Sequence, residues 1–249
     1  MHSDDKWRLE PGDLATALAL LTRLPVRARF ERGAAAAWAY PVAGVAVAVI
    51  AAVPTGLALA LGVPTMLAAI LWVATHVIVT GAMHEDGLAD SADGLWGGWN
   101  KDQRLEIMKD SHIGSYGVIA LCLSLAARWA AVGMILQLSG WFWALLAVDV
   151  MSRAVMPAVM SALPHARETG LSHAQGRPSR EMAAIALLIG CGSLVLASGL
   201  GAIGLAVCAA LTVLICGAIA KSKIGGQTGD ILGATQQLTE IVLLIVLAT

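Results

Sequence analysis

The chain has 249 residues, 58% hydrophobic and 13% charged, with a net charge of −1 and a mean hydropathy of +0.76. Soluble domains run near half apolar and about a quarter charged, so no soluble core of this size absorbs the excess, and lipid must solvate much of the surface. No basic run interleaved with aromatics occurs, which argues against nucleic-acid binding.

At the N-terminus Asp4, Asp5, Glu10 and Asp13 precede any apolar run, unlike a secretory leader. Residues 13–30 mix an apolar run with Arg23, Arg27 and Arg29 and read as a helix at the membrane interface or re-entering the protein. A bilayer core about 30 Å thick needs roughly 20 apolar residues per helix. That ruler predicts spans near 36–62, 64–83, 114–136, 141–163, 182–198, 202–220 and 231–249. Pro54 and Pro157 fall inside spans and are expected to kink them. Cys122, Cys191, Cys208 and Cys216 sit in apolar stretches without metal spacing and read as packing residues.

After the second span comes His84-Glu85-Asp86-Gly87-Leu88-Ala89-Asp90-Ser91-Ala92-Asp93. On a helix, Asp86, Asp90 and Asp93 fall at i, i+4 and i+7, within one stripe. Crowded carboxylates repel unless a cation neutralises them, and oxygen ligands without thiols suit Mg²⁺ or Mn²⁺. The bland alternative is a solvated acidic face. Seven of the seventeen acidic residues fall between 85 and 110, against the end of an apolar span, which favours the cation. Magnesium that keeps its waters and binds substrate phosphates points to phosphate chemistry. Further on, Lys109 and Asp110 stand where the next helix meets the interface; Lys109 is either a phosphate ligand or a lysine snorkelling to water.

Asp149 and Arg153, spaced i, i+4 in the fourth span, are either a structural ion pair or a route for Arg153 to a pyrophosphate. His76 reads as a helix–helix contact. His165, Arg167 and Glu168 cluster in a polar loop. Gly225-Gly226-Gln227-Thr228-Gly229-Asp230 opens the last helix: its glycines permit close approach of a phosphate to free N–H groups, or Asp230 is simply the N-cap. With the N-terminus in the cytoplasm, every Lys and Arg except Arg128 and Arg153 falls inside, and the outer turns carry no charge. The fold expected is all-α: a polytopic transmembrane bundle of about seven spans, one integral membrane domain over 1–249, with polar loops on the cytoplasmic face.

These segments, taken together and in order, resemble the cobalamin synthase family, the adenosylcobinamide-GDP ribazoletransferases. The resemblance runs nearly the whole chain: Leu21-Thr22-Arg23-Leu24-Pro25-Val26, Tyr40 to Gly44, His84 to Gly94, Arg104 to Gly117, His165 to Leu171, and Gly225 to Gly233. Glu85 departs from the pattern, standing where the family commonly has leucine; the extra carboxylate either joins the metal site or faces water. The resemblance implies a reaction joining adenosylcobinamide-GDP to α-ribazole or its 5′-phosphate, with loss of GMP and Mg²⁺ as cofactor, at a bacterial-type inner membrane with the active site facing the cytoplasm. Expected roles follow: His84, Asp86, Asp90 and Asp93 in catalysis; Asp86, Asp90, Asp93 and Glu85 on the metal. Lys109, Asp110, Arg153, Arg167, Gly226, Gln227 and Asp230 would serve phosphates and substrate. A wide cavity between helices is expected to shelter the corrinoid, and small-residue faces permit homo-oligomers. A CDP-alcohol phosphotransferase fits poorly, because Ala89 is followed by Asp90 where that pattern expects arginine. A cation transporter would carry its carboxylates deeper in the membrane.

Overall fold

The structure, a computed structural model, describes residues 9–249; the leader-peptide reading, which leans on Asp4 and Asp5, lies partly outside the described residues. Helix α1 spans Pro11–Leu21, with Pro11 in the first turn where its missing N–H costs nothing. It stops well short of the expected 13–30. Thr22 turns its hydroxyl onto Leu18 O (2.6 Å) and takes extended backbone angles, and Pro25 disfavours helix in the residue before it. The chain then runs back along α1: Thr16 Oγ1 donates to Arg29 O (2.9 Å) and Arg32 Nε to Asp13 Oδ1 (2.8 Å).

A 3-10 turn, Gly33–Ala39, leads into α2 (Tyr40–Ala60), followed by α3 (Thr65–Thr80) and α4 (Met83–Gly97). Next come α5 (Lys101–Ile107), α6 (Ser115–Ile135), α7 (Trp141–Ala162) and the short α8 (Leu171–Gln175). The last three are α9 (Arg180–Ser198), α10 (Ala202–Ile224) and α11 (Gly229–Ala248). No strand forms among the described residues, and the all-α expectation holds. Pro54 and Pro157 lie inside continuous helices.

Among the described residues, five segments are long and apolar enough to cross a membrane, and a sixth is the bent pair α3–α4. The expected 182–198 and 202–220 fall in one continuous 45-residue segment, Arg180–Ile224, which holds two helices. That segment doubles back at Gly199–Gly201. Arg177, just ahead of α9, donates to Met160 O and Ser161 O, while Gly190 faces Met151 and Ala154, so α9 runs antiparallel to α7. Returning, α10 packs along α11 and ends with Lys223 Nζ on Leu95 O (2.7 Å).

Burial orders the layers. Helix α7 is buried along most of its length from Leu145 to Met160, whereas α9 and α10 expose Leu188, Leu196, Ile203 and Leu214, so α7 is the central post and the hairpin lies outside it. Val53, Leu57, Ile78, Leu123, Leu196 and Leu214 are each more than half exposed on outward faces, the surface that a lipid bilayer would cover. Cys191 and Cys208 pack against the main apolar cluster, whereas Cys122 faces outward.

Candidate functional site

The site begins at an elbow. Gly81 (φ 65°) and Ala82 (φ 58°) both occupy the left-handed region, and the chain turns by 86° between α3 and α4. For a non-glycine residue that conformation costs about 1–2 kcal/mol. A Cβ on Gly81 would strike the Arg23 side chain, whose backbone N donates to Val79 O (2.7 Å). The turned helix α4 therefore lies across the polar end of the bundle, outside the crossing helices.

Helix α4 packs on α11 through two glycines. A Cβ on Gly87 would meet Asp230 O at 2.9 Å and Gly233 Cα at 3.3 Å, so the two backbones touch without side chains between them. The close crossing sets Asp86 and Asp90 beside Asp230. Gly87→Val is expected to destabilise the protein by about 1–3 kcal/mol, because backbone must give way. The same change should cut turnover sharply; a thermal midpoint and rate equal to wild type would show that the crossing does not hold the site.

Thr228, not Asp230, caps α11: its Oγ1 accepts from Ile231 N at 3.3 Å. That frees the Asp230 carboxylate, whose Oδ2 accepts from Arg167 Nη2 (3.2 Å) and Thr228 Oγ1 (3.1 Å). Arg167 arrives on a loop that Gln227 pins. Gln227 N donates to Pro164 O (2.8 Å) and Ala166 N to Gln227 O (2.9 Å), while Ser172 Oγ donates to Gln227 Oε1 (2.6 Å). His165 Nδ1 lies 2.9 Å from Gln227 Nε2, and partial burial with the nearby His173 and Arg177 holds this imidazole below its usual range.

A cavity of about 140 Å³ opens here, lined among others by Tyr40, His84, Asp86, Arg167, Gln175 and Asp230. His84 is buried at 1% exposure, and among the described residues its Nε2 has no hydrogen-bond partner; Arg167 Nη1 and Gln175 Oε1 are likewise buried and unpartnered there. Buried polar atoms are rarely left unpaired in a finished core, and three at one cavity make it the candidate site. Asp86 is exposed and Asp90 half-buried, and neither has a hydrogen-bond or ion-pair partner among the described residues. Burial and the charges of Asp86, Asp230 and Asp93 disfavour ionisation of Asp90, and Arg167 opposes them.

Among the described residues no three His, Cys, Asp or Glu side chains converge closely enough to hold a metal ion by themselves. Two unpartnered carboxylates at i, i+4 with a third across the helix crossing nevertheless fit Mg²⁺, which keeps several waters and completes its shell on substrate phosphate.

Other expected residues are placed elsewhere. Asp93 is nearly buried and caps α6: Oδ2 accepts from Gly114 N (2.7 Å) and Oδ1 from Gly117 N (2.9 Å). Glu85 neither joins the carboxylates nor faces water. It points inward, where Arg128 Nη1 donates to Glu85 Oε1 (2.6 Å) and Arg128 Nε to Glu240 Oε1 (2.8 Å). Arg153, expected among the phosphate ligands, is fully buried and bound to Asp149 Oδ1 (3.1 Å), which also lies 2.8 Å from His76 Nε2; it does not line the cavity. Lys109 and Asp110 sit beyond α5 at a separate surface hollow. There Asp110 pairs with His112 at 2.7 Å, a bond that lowers the carboxyl pKa and raises the imidazole's. Gly226 lies against Pro164 O, so together with Gln227 it fastens the loop rather than lining the cavity.

The sequence reading passed over Gln175 and the interior partners of Arg128. Gln236, Gln237 and Glu240 interrupt the apolar run of α11. In fact Gln237 and Glu240 face Arg128, and Gln236 Nε2 donates to Glu240 Oε2 (2.8 Å) and to Ser152 Oγ (3.0 Å). The usable signal was charge: an arginine inside the membrane calls for a carboxylate on some other span.

The family described as cobalamin-5-phosphate synthase matches residues 13–248. A protein named adenosylcobinamide-GDP ribazoletransferase from Bradyrhizobium diazoefficiens is 46% identical, over 95% of this chain and 93% of that one. Proteins of the same name from Mesorhizobium japonicum (42% identical, 94% of this chain and 92% of the other) and Sinorhizobium medicae (43%, 95% and 95%) are similarly related. No solved structure matches the chain.

Proposed function

Because the chain belongs to the cobalamin-5-phosphate synthase family, we propose that it joins adenosylcobinamide-GDP to α-ribazole or its 5′-phosphate, releasing GMP, at the crossing of α4 and α11. One observation carries the placement: the unpartnered Asp86, Asp90, His84 Nε2 and Arg167 Nη1 gather beside Asp230 at that crossing.

The reaction is a displacement at phosphorus. A ribose hydroxyl of the nucleoside forms a new O–P bond to the phosphorus on the cobinamide arm, the bridging O–P bond of the diphosphate breaks, and GMP departs. Such transfers depend on positioning and charge neutralisation more than on covalent chemistry. Asp86 and Asp90, with Asp230, would hold Mg²⁺, which when bound neutralises charge on the diphosphate oxygens. Arg167, fixed through Nη2 by Asp230, presents Nη1 to a phosphate oxygen. His84 Nε2 offers a buried acceptor for the attacking hydroxyl. The cavity, at about 140 Å³, takes phosphate and ribose and not a corrinoid, so the ring is held at its mouth instead of in the wide interior cavity expected. Grouping of the basic residues at this end, apart from Arg128 and Arg153 in α6 and α7, supports a site facing the cytoplasm across an inner membrane.

The direct test is GMP release from adenosylcobinamide-GDP and α-ribazole by the purified, lipid-supplemented protein, with Mg²⁺ and with EDTA. Magnesium-dependent GMP together with a cobalamin product is expected. A folded preparation that yields neither would overturn the assignment.

A further inference from the structure

A second hollow, about 460 Å³, adjoins the reaction cavity: Leu20, Met83, Leu171 and Gln175 line both. Its remaining wall comprises Ala19, Thr22, Arg23, Phe30 and Thr80. Most of its polar groups are already engaged. Thr22 Oγ1 donates to Leu18 O and Thr80 Oγ1 to His76 O (2.8 Å). What remains is an apolar slot with a guanidinium at Arg23 and, at the junction of the two spaces, the unpartnered acceptor Gln175 Oε1. Phe30 and Leu171 are 47% and 52% exposed, although they belong to the polar end of the bundle and not to its lipid-facing belt. A large apolar surface at the mouth of a polar site marks a ligand subsite.

Resting on the function proposed above, we infer that this slot receives the flat aromatic base of the nucleoside substrate and thereby selects it. The argument is one of continuity and size. A ribose at the junction donates a hydroxyl to Gln175 Oε1, its attacking hydroxyl reaches the 140 Å³ cavity beside His84, and the base has the adjoining 460 Å³ to occupy. Ligand sites of this kind span roughly 300–1,000 Å³ and are apolar with a few placed polar groups. Phe30 supplies an aromatic face for stacking, and Met83 a polarisable thioether that adapts to ring edges. The diphosphate, by contrast, finds among the described lining residues no charged partner apart from Arg23.

Phe30 lines this slot and not the reaction cavity, so it is the clean position to change. Phe30→Ala is expected to raise KM for α-ribazole roughly tenfold, the loss of one stacking face. KM for adenosylcobinamide-GDP and kcat should stay near wild type, and Phe30→Trp should restore nucleoside affinity. Calorimetry of α-ribazole alone binding to wild type and to Phe30→Ala should show the same ratio. Equal nucleoside KM and affinity in the two proteins would overturn the slot, as would a rise confined to adenosylcobinamide-GDP, which would give the hollow to the corrinoid. If wild type itself releases no GMP, the functional reading falls, while the calorimetric comparison still decides whether a nucleoside base binds there.

Discussion

Asp90→Asn is expected to lower turnover by about three orders of magnitude, with the fold intact. Several kcal/mol of charge stabilisation come from a bound cation in phosphoryl transfer, and about 4 kcal/mol corresponds to a factor near 10³. Asp90 is the position to test because its carboxylate makes no hydrogen bond or ion pair among the described residues, yet it is half-buried among Asp86, Asp230 and Asp93. A structural carboxylate would have partners, as Asp93 has in the two N–H groups of α6. Removing one like charge from the group should leave the thermal midpoint equal to or above wild type, because the native repulsion is relieved. The measurement is GMP release across a magnesium titration, with thermal unfolding as the control. Near-normal turnover at limiting magnesium would sink the metal role.

The second large effect is on stability. Arg128→Met should destabilise the bundle by about 3–5 kcal/mol, because Glu85 and Glu240 then remain buried without a countercharge. Arg128 is 1% exposed and joins α4, α6 and α11 through these two carboxylates and Gln237. Replacing the whole group, as Arg128→Met with Glu85→Gln and Glu240→Gln, should recover most of the loss, since the penalty lies in the unpaired charges. Thermal unfolding in detergent would decide. A single variant as stable as wild type, or a triple variant no better than the single, would show that the network is not the tie between these helices.

Much of this was written in the chain. Hydropathy located every long apolar helix, and the spacing of Asp86 and Asp90 put both on one face of what is indeed a helix. Geometry beyond one helix was not legible. Asp93 shares the stripe of Asp86 but lies about 10 Å further along the axis, where the start of α6 and not α11 waits for it. Glu85 is one residue from Asp86, a rotation of about 100°, which turns it from the cavity to the interior. The i, i+4 pair Asp149–Arg153 left two readings open, and only the packing of α3, which brings His76 to Asp149, shows why the arginine stays inside. Likewise Gly225 to Asp230 left open a phosphate turn or an Asp230 cap, whereas Thr228 is the cap and Arg167, 63 residues earlier, holds the aspartate.

The tie through Arg128 also sets an order for biogenesis. Translation delivers α4 and α6 to the bilayer well before α11, so Arg128 first meets Glu85 alone. Its second carboxylate, Glu240, arrives only with α11, Gly229–Ala248. The same helix brings Asp230 to Arg167 and Gly233 to the backbone of α4. Closure of the interior and completion of the α4–α11 crossing are therefore one event, after α4 and α6 have been made. A nascent chain that has not yet inserted α11 carries an under-compensated arginine in the membrane, the kind of defect that bilayers tolerate poorly and insertion machinery can sense.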